Sequence, residues 1–552
     1  MDWRAALLDP AAYPGPPSRV ELRETHASWI ALAGEFAWKL KRPVRFPFLD
    51  YSTPERRLAA CETELRVNSR WAPQLYLDLQ AAVPRGDGIR FVAAGAASPG
   101  TALEYAVRLR RFAASDELPA LLERGAVAPD ELAAFGTALA AWQAAGPAPP
   151  DGSDYGHATE ALRAALDNFA SLASRDARDA GADAAADADA ADADGRAMRR
   201  LRDWTVERHA ELAPLLESRR DAGRVRECHG DLHAANVVRI DGRLVPFDGI
   251  DFDPRLAYVD VANDAAFLAM DLEQRGHPGL AHAFLSAWLE ASGDAGAPRV
   301  LPWFIAYRAL VRAKVEDLRI RELKSRLGTR SPTAAEARAL RAELVATAAA
   351  RRRHVAVAAA RLDGRSAALY VTVGLSGSGK SWLAERLVAT LPALRARSDV
   401  ERKRLAGLAP TAASGSSPRA GLYSADWTAR TYARLREIAV AWLAARYDVI
   451  VDATALDPRQ RAGFAAAARQ AGARLAWLHC TAPTEVLRAR VASRRGDASE
   501  ATLEVLEIQL QHGPALDAAE LARTVTVDTS RPIDVAAVAA ALRSAAAPPA
   551  AS

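Results

Sequence analysis

A glycine-rich segment of eight residues in the second half of the chain limits the possible folds more than any other feature. It consists of Gly374, Leu375, Ser376, Gly377, Ser378, Gly379, Lys380 and Ser381. This order matches G-x-x-x-x-G-K-[ST] at every fixed position, with the apolar run Ala368–Val373 before it and a helical pattern, Trp382–Leu391, after it. Such glycines allow backbone N–H groups to surround a phosphate, and the start of the helix adds partial positive charge. The segment therefore predicts a strand, a phosphate-binding loop and a helix, whereas a chance Gly/Ser loop would need no such neighbours.

Two side chains of this loop and two later aspartates have positions that favour phosphate and metal chemistry. We expect Lys380 to reach the β- and γ-phosphates of a nucleotide and the Ser381 hydroxyl to bind Mg²⁺. Asp452 ends a buried-strand pattern, which predicts a position beside the loop and a role in holding Mg²⁺. Asp399 follows the second strand pattern, at the edge where ligands enter an open α/β sheet. An ordinary strand-end turn or a helix cap is the alternative for each aspartate.

A short helical segment further along the chain is rich in arginine. Its arginines are Arg488, Arg490, Arg494 and Arg495. Arginines on a flap can close over a transferring phosphoryl group and neutralise its charge, whereas the alternative is a solvated helix face. Arg490 and Arg494 are four residues apart and would share one face of a helix. We therefore take these two as catalytic candidates.

These motifs carry a resemblance to a known group of enzymes. In order, GLSGSGKS, RSDVERKR, VIVDAT and RARVASRR resemble the small P-loop kinases of the zeta-toxin, gluconate-kinase and polynucleotide-kinase group. The resemblance covers residues 367–545. It implies an α/β P-loop NTPase domain with a parallel sheet, Asp399 as the base or substrate anchor, and a lid that carries Arg490 and Arg494.

The sharpest feature of the first half is HGDLHAAN, residues His229–Asn236. An aspartate followed five residues later by an asparagine has the spacing of the kinase catalytic loop. In that loop the aspartate accepts the proton of the attacking hydroxyl and the asparagine holds Mg²⁺. The spacing assigns these roles to Asp231 and Asn236.

A predicted β-hairpin follows this loop and leads to a second acidic group. The strand pattern Arg243–Phe247 ends at Asp248, and a metal-binding aspartate needs such a position beside the catalytic loop. We predict Asp248 as the metal ligand because it directly ends the strand. Asp251 and Asp253 follow closely in DGIDFDPR and stay open as alternatives.

Upstream, a strand pattern ends in a lysine at the place where kinases bind the α- and β-phosphates. This residue is Lys39, in Phe36-Ala37-Trp38-Lys39. The helical pattern Pro54–Ser69 follows and offers Glu62 and Glu64 as partners for the lysine, of which we predict Glu64. A lone strand lysine or helix glutamate is usually solvated, and it is their order relative to HGDLHAAN that indicates a function.

HGDLHAAN and FDGIDF resemble the catalytic and metal-binding motifs of the aminoglycoside phosphotransferase family. The resemblance covers Val20–Leu323 and implies an α+β two-lobed protein-kinase-like domain that uses ATP. The chain departs from the kinase pattern at Thr25–Ser28, where the loop between the first strands is not glycine-rich. The whole arrangement is similar to bacterial two-domain proteins that join an aminoglycoside phosphotransferase to an ATP-binding protein.

Changes of pattern along the 552 residues predict the domain organisation. The kinase-like domain spans 1–345 and contains a low-complexity Ala/Asp insertion at 175–196, which has no apolar face to bury. A linker helix and boundary occupy 346–366, the P-loop domain 367–545, and a disordered tail 546–552. Apolar residues make up 50% and charged residues 25%, which is ordinary for globular domains.

Cysteine usage and the N-terminal sequence favour the cytosol. The cysteines Cys61, Cys228 and Cys480 form no C-x-x-C pair, which favours a reducing compartment without a structural metal. The start, MDWRAALLDP, has no apolar signal core, and no apolar stretch is long enough to span a bilayer. A net charge of +4 suits anionic ligands such as nucleotides, but it is not a nucleic-acid signature.

Together these patterns predict an ATP-dependent phosphotransferase with two kinase modules and with ATP and Mg²⁺ as cofactors. At least one module would transfer the γ-phosphoryl group of Mg·ATP to a hydroxyl of a small molecule, and no membrane partner is expected. Two alternatives stay open. One module is a regulatory nucleotide sensor or pseudokinase, or the second module phosphorylates nucleic-acid 5′ ends, for which the sequence has no clear set of stacking aromatic residues. The fold does not fix the acceptor.

Overall fold

A computed structural model of the chain describes residues 2–46, 49–98, 100–173, 188–329, 332–410, 412, 421–494 and 498–547. The chain forms two compact units. The first comprises Met1–Val127, Ala141–Ala164 and Glu211–Asp271, and the second comprises Ala128–Ala140, Ala165–Ala210 and Leu272–Ser552. The predicted domain borders at residues 345 and 367 stay a prediction.

Strands and helices alternate differently in the two halves of the chain. The strands are β1 (Val20–Glu24), β2 (Ser28–Ala33), β3 (Phe36–Lys41), β4 (Arg45–Phe46), β5 (Leu49–Asp50), β6 (Tyr76–Arg85), β7 (Gly88–Ala93), β8 (Glu104–Arg110), β9 (Val225–Glu227), β10 (Val237–Ile240), β11 (Arg243–Pro246), β12 (Tyr258–Asp260), β13 (Ala368–Val373), β14 (Ala393–Arg397), β15 (Asp448–Asp452), β16 (Arg474–Thr481) and β17 (Thr524–Asp528).

The α-helices are α1 (Trp3–Leu8), α2 (Pro54–Ser69), α3 (Leu118–Glu123), α4 (Pro129–Ala145), α5 (Ala158–Ala173), α6 (Ala188–Asp221), α7 (Pro254–Ala257), α8 (Val261–Gln274), α9 (Pro278–Ser292), α10 (Leu301–Thr329), α11 (Ala334–Ala359), α12 (Lys380–Thr390), α13 (Ser398–Leu405), α14 (Ala425–Ala444), α15 (Pro458–Gln470), α16 (Thr484–Ser493), α17 (Leu503–His512), α18 (Ala518–Leu521) and α19 (Val535–Ala546). Residue 174 and the part of the Ala/Asp tract from 175 to 187 lie outside the described residues, and 188–196 form the first turns of α6. The predicted tail is described only to residue 547.

A six-stranded antiparallel sheet is the framework of the first unit, in the order β1-β2-β3-β8-β6-β7. Alternation along β3 places Trp38 and Leu40 in a buried cluster on one face, where Trp38 meets the ring of Tyr13 edge to face. Since successive side chains of a strand point to opposite faces, Lys39 and Lys41 point to the other face. Both lysines therefore come to one side of the sheet.

Helix α2 packs against β6 and β8 of this sheet. Its N-terminus is capped by Thr53, whose side chain accepts a hydrogen bond from the backbone N–H of Arg56. Glu64 lies on the buried face of the helix, whereas Glu62 is exposed. The buried polar or sulfur-bearing residues recur every three or four positions, as one helix face requires, at Arg57, Cys61, Glu64 and Asn68. The predicted helix Pro54–Ser69 is confirmed.

The hairpin predicted after the catalytic loop is also present. Strands β10 and β11 pair antiparallel, with Asp241 and Gly242 at the turn in left-handed backbone conformation. Strands β9 and β12 form a second antiparallel pair. The HGDLHAAN segment lies between β9 and β10, and its last three residues form a 3₁₀ turn, Ala234–Asn236.

The second unit contains a five-stranded sheet in which every paired neighbour is parallel, in the order β14-β15-β13-β16-β17. All residues of β13 and β15 are buried, as in a sheet covered on both faces. The carboxyl ends of parallel strands share one edge, so the loop after β13, Asp452 in β15 and Asp399 after β14 come to the same edge. The predicted α/β fold with a parallel sheet is confirmed, as is the α+β arrangement of the part before it.

Two long helices precede the parallel sheet in the same unit. Helices α10 and α11 pack side by side; an ion pair joins Arg319 to Glu343 at 2.6 Å, and Nδ1 of His354 lies 2.9 Å from Oε2 of Glu316. Thr333 caps the start of α11. Among the helices of the described ranges, none is both long and apolar enough to cross a membrane.

Candidate active sites

A pair of lysines on β3 is held by acidic groups in the first unit. The Nζ atom of Lys39 lies 2.7 Å from Oε1 of Glu64 and 2.5 Å from Oδ1 of Asp248. The Nζ atom of Lys41 lies 2.8 Å from Oε2 of Glu64 and 2.6 Å from Oδ2 of Asp251. Glu64 thus bridges both lysines, and each lysine has one further aspartate.

Burial makes the charges of this cluster strongly dependent on one another. Burial raises the pKa of the Glu64 carboxyl, but Lys39 and Lys41 outweigh it and lower the pKa to about 2. Burial lowers the pKa of Lys39, yet the Asp248 and Glu64 carboxylates hold that pKa well above its usual range. Burial also raises the pKa of Asp251. The cluster therefore holds Glu64 and both lysines charged near neutral pH.

Asp248 and Asp251 differ in their surroundings. The Asp248 side chain is 52% exposed, whereas that of Asp251 is 8% exposed. The backbone of Asp248 has φ 60°, and its N–H donates to the Tyr76 hydroxyl at 3.0 Å. The third candidate, Asp253, caps α7 by accepting a hydrogen bond from the Arg255 N–H. Asp248 is therefore the most accessible of the candidates that face the lysines.

A cavity of about 480 Å³ lies at these residues. Lys39, Lys41, Asp248 and Asp251 contribute to its lining, together with the turn Thr25–Ser28. Apolar side chains complete the wall and include Ile30, Leu32, Leu109, Phe112 and Phe247. A cavity with an apolar wall and a charged end suits a ligand that has a flat ring and an anionic group.

Asp231 and Asn236, the two predicted functional residues of HGDLHAAN, contact each other. The Asn236 side-chain amide donates to the backbone oxygen of Asp231 at 3.0 Å and to Oδ2 of Asp231 at 3.2 Å. Nε2 of His233 lies 3.4 Å from the same Oδ2. His229 connects this loop to the hairpin end, since its Nε2 lies 2.9 Å from the Phe247 carbonyl oxygen, next to Asp248. The HGDLHAAN segment therefore lies next to the backbone that carries Asp248, the predicted metal ligand.

Three glycines give the loop after β13 its shape in the second unit. Gly374, Gly377 and Gly379 all have positive φ. A Cβ atom at Gly377 would lie 2.8 Å from the Leu487 carbonyl oxygen, so this position requires glycine. The Nζ atom of Lys380 turns back and donates to the Leu375 carbonyl oxygen at 2.7 Å, and burial lowers the pKa of this lysine.

Ser381 and Asp452 form the predicted metal-binding pair. The Ser381 hydroxyl donates to Oδ1 of Asp452 at 3.1 Å. The other oxygen, Oδ2, is buried and accepts no hydrogen bond from any residue that the structure describes. A hydroxyl and a carboxylate suit Mg²⁺, which usually binds through one or two such groups plus substrate phosphates. No cluster of three or more His, Cys, Asp or Glu side chains fit for a metal occurs in the described ranges.

A cavity of about 810 Å³ joins the predicted residues of the second half. The loop, Asp399, Asp452, Arg490 and Arg494 all contribute to its lining. Arg490 donates to the Thr529 hydroxyl and to the Thr529 carbonyl oxygen, each at 2.8 Å. The arrangement brings a carboxylate, a phosphate-binding loop and two guanidinium groups to one space.

The arginine segment differs in part from the prediction. Helix α16 ends at Ser493, and Arg494 follows in extended conformation, so Arg490 and Arg494 do not share a helix face. The Ser493 hydroxyl donates to the Arg490 carbonyl oxygen at 3.3 Å, which replaces a helical hydrogen bond there. Arg488 instead pairs with Glu507 on the surface, and Arg495 lies outside the described residues.

Comparisons with known proteins cover both halves of the chain. A family model described as an AAA domain matches residues 369–515. The uncharacterized protein Rv2004c of Mycobacterium tuberculosis (strain ATCC 25618 / H37Rv) is 30% identical over 518 residues, which is 94% of this chain and 92% of that protein. The chain belongs to the Rv2004c family. The AAA-domain match covers the glycine loop, and together they support nucleotide use by this family member.

Two solved structures are similar to parts of this Rv2004c family member. A gluconokinase from Sinorhizobium meliloti 1021 is 25% identical, covers 33% of this chain and 91% of its own, and has a TM-score of 0.23. An aminoglycoside phosphotransferase from Alicyclobacillus acidocaldarius is 15% identical, covers 63% of this chain and 93% of its own, and has a TM-score of 0.33.

Sequence patterns missed several residues that support the first site of this Rv2004c family member. Asp264 on α8 accepts hydrogen bonds from the backbone N–H groups of His229 and Gly230, at 3.2 and 3.0 Å. Asp271 on the same helix accepts one from the Ala234 N–H at 2.8 Å. A signal existed, because both are acidic residues within an otherwise apolar buried helix and so need buried donors.

Residues at the second site of this Rv2004c family member were missed as well. The Thr529 hydroxyl donates to the Ser378 carbonyl oxygen of the loop at 3.0 Å. Oε1 of Gln509 accepts a hydrogen bond from the Ser376 N–H at 2.8 Å. Thr529 follows β17, so its position at the carboxyl edge of the sheet could have indicated it, whereas no sequence signal pointed to Gln509.

Proposed function

We propose that the chain transfers the γ-phosphoryl group of ATP, with Mg²⁺, to a hydroxyl of a small molecule, and that each module has its own ATP site. The observation that carries the proposal is the cavity in the second unit. It joins the glycine loop, Asp399, Asp452 and two arginines, and it contains a buried carboxylate oxygen of Asp452 without a hydrogen bond from the described residues. A buried carboxylate oxygen that accepts no hydrogen bond is costly unless a ligand satisfies it, and Nε of Arg397, 3.7 Å away, is too far to donate one.

In the second module the loop N–H groups and Lys380 bind the β- and γ-phosphates. Ser381 and Asp452 hold Mg²⁺, which neutralises phosphate charge when it is bound. Arg490 and Arg494 face the same space and balance the charge of the transferred group. Asp399 lines the same cavity as the loop residues and accepts the proton of the acceptor hydroxyl.

In the first module Lys39 binds the α- and β-phosphates and Glu64 fixes its position. Asp231 accepts the proton of the acceptor hydroxyl, and Asn236 holds Mg²⁺ with an aspartate from the hairpin end. We assign that second ligand to Asp248. Its side chain is half exposed in the cavity, whereas Asp251 is buried against Lys41.

The acceptor that we propose is a small hydroxylated metabolite, and the proposed setting is the cytosol. All three cysteines lie among the described residues, are buried and form no disulfide, as in a reducing compartment. Neither a membrane nor a nucleic acid is part of the proposal.

An ATP-consumption screen of the full chain tests this function. Candidate acceptors are sugars, aminocyclitols, nucleosides and oligonucleotides, each assayed with the wild type, Lys39→Ala, Lys380→Ala and the double variant. We expect each single variant to lose consumption with the acceptors of one module only, and the double variant to lose all of it. Lys324→Ala, an exposed lysine on α10, is the matched control. Consumption by the double variant equal to the wild type would contradict the proposal, and consumption only with oligonucleotides would replace the acceptor class.

A further inference from the structure

Helix α9 packs directly on the parallel sheet of the second unit. Its Gly279 lies so close to α12 that a Cβ atom there would be 2.2 Å from the Ala389 carbonyl oxygen. Ala283, one turn later, is buried in the same cluster as Leu383 and Leu387 of α12 and Ala393 of β14. Helix α9 therefore contributes to the core of the P-loop fold, although it precedes β13 by more than one long helix.

The next turn of α9 covers the edge of that sheet. Strand β14 is an edge strand, whose outer N–H and C=O groups have no neighbouring strand to pair with. The Ser286 hydroxyl donates to the Ala393 carbonyl oxygen at 3.4 Å and accepts a hydrogen bond from the Arg395 N–H at 3.2 Å. This one side chain thus takes the place of a strand neighbour.

Glu290, one further turn along α9, binds two arginines of β14. Its Oε1 lies 3.1 Å from Nη1 of Arg397, and its Oε2 lies 3.4 Å from Nη2 of Arg395. The Glu290 backbone oxygen accepts a further hydrogen bond from Arg404 at 2.6 Å. These contacts hold the carboxylate at a defined place beside the edge strand.

The two arginines continue from Glu290 to the predicted metal-binding pair. Nη1 of Arg395 donates to the Ser381 carbonyl oxygen at 3.3 Å. Nε of Arg397 lies 3.7 Å from Oδ2 of Asp452, which is too long for a hydrogen bond. The oxygen that Arg397 approaches is the buried one that lacks a hydrogen bond from the described residues. Arg397 therefore stands beside this oxygen but does not occupy it.

We propose that Glu290 is a positioning residue of the second site, which keeps the Arg397 guanidinium off Asp452 so that this carboxylate stays available to Mg²⁺. Arg397 and Asp452 are both largely buried, so their attraction is strong. The ion pair between Arg397 and Glu290 opposes this attraction. Without Glu290, Arg397 closes the remaining distance and competes with the metal. The inference rests on the proposed metal role of Asp452.

Metal titration of nucleotide binding tests the proposal in the full chain that carries Lys39→Ala, so that binding reports the second site. Binding of a fluorescent ATP analogue to the protein is measured at increasing Mg²⁺ concentrations. In a separate sample, its binding is measured with EDTA present. We expect Glu290→Gln to raise the Mg²⁺ concentration for half-maximal binding roughly tenfold, as the loss of an outer partner of a metal ligand does. Binding in EDTA and the melting temperature should change little, which a merely structural role would not predict.

The decisive comparison is a second substitution at Arg397. Glu290→Gln/Arg397→Gln should return the Mg²⁺ requirement to the wild-type range or below, because the competing cation is gone. Arg397→Gln alone should lower the requirement, and it keeps the test valid if Glu290→Gln fails to fold. Glu385→Gln is the matched control, since Glu385 lies 3.9 Å from Arg395 and is half exposed.

Two results would overturn the inference. One is a Mg²⁺ requirement of Glu290→Gln within a factor of two of the control, and the other is a double variant that is no better than Glu290→Gln. Failure of the proposed function is a different result. In that case the Lys39→Ala chain would bind the analogue equally with Mg²⁺ and in EDTA, or Lys380→Ala would not reduce the binding.

Discussion

Asp231 and Asp248 have different surroundings in the first module, and we propose different roles for them. The Asp231 side chain contacts Asn236 and His233 within the predicted catalytic loop. The Asp248 side chain instead pairs with Lys39 and lines the cavity. A base and a metal ligand respond differently to the loss of a negative charge. A base acts only on the transferred proton, while a metal ligand also acts on bound Mg·ATP.

We expect Asp231→Asn to keep the ATP affinity of the first module and to lower its phosphoryl transfer by roughly two to four orders of magnitude. Asp248→Asn should weaken Mg·ATP binding as well as turnover, because it removes a proposed metal ligand. Turnover and nucleotide binding, measured in the Lys380→Ala chain with an identified acceptor, check the contrast. Near-full turnover by Asp231→Asn would make the nucleotide-sensor alternative the better account of this module.

The Glu64 carboxyl gives the first module a pH-dependent stability. Its pKa is lowered from a usual 4.5 to about 2, so the unfolded chain binds a proton more readily than the folded one between these values. The stabilisation is thus fully present above pH 4.5 and is lost as the pH falls towards 2. We expect the difference in free energy of unfolding between wild type and Glu64→Gln to shrink from pH 6 to pH 3.

Urea unfolding at both pH values measures this difference. Glu62→Gln is the matched control, because Glu62 is exposed on the same helix. A gap between wild type and Glu64→Gln that is the same at pH 6 and pH 3 would show that Glu64 does not owe its effect to its charge.

At the scale of elements, helix α9 belongs physically to the P-loop fold. The close approach of Gly279 to α12 predicts that Gly279→Ala destabilises the second unit by about 1–3 kcal/mol, as overpacking does. The matched control is Gly328→Ala on α10, where a Cβ atom meets nothing within 4 Å. This control should stabilise by about 0.5–1 kcal/mol, because alanine favours a helix over glycine. Equal effects of the two substitutions in urea unfolding would contradict the packing of α9 on α12.

Elements that depend on local sequence could be predicted from the sequence, whereas contacts between distant elements could be predicted only where a motif pointed to them, as for Lys39 and Glu64. The glycine loop, the helix Pro54–Ser69 and the hairpin after Asn236 all have neighbours in sequence that fix them. The contacts of Glu290 and Asp264 could not be predicted from a local motif, because their partners lie on other elements. The end of α16 at Ser493 also escaped prediction, since a side-chain hydrogen bond decides it.

The choice of a metal-binding aspartate for the first module also shows how far local sequence can predict a site. Sequence alone left Asp248, Asp251 and Asp253 open, because all three follow one strand within a few residues. The contacts of the folded chain separate them, with Asp248 on Lys39, Asp251 on Lys41 and Asp253 at a helix start. Their roles stay a prediction for the mutants above to test.

At the scale of the whole molecule, we propose two nucleotide sites, which lie on two different folds. The first depends on Lys39 and its acidic partners, and the second on the loop that ends in Lys380 and Ser381. Because each site has its own phosphate-binding lysine, loss of one lysine should leave the other site able to bind. The Rv2004c family would then combine two kinase modules in one chain.

Calorimetric titration of the full chain with ATP and Mg²⁺ tests this claim most directly. The account predicts two bound nucleotides per wild-type chain, one for Lys39→Ala, one for Lys380→Ala, and none for the double variant. A wild-type stoichiometry of one, or the loss of both nucleotides from Lys380→Ala alone, would contradict it.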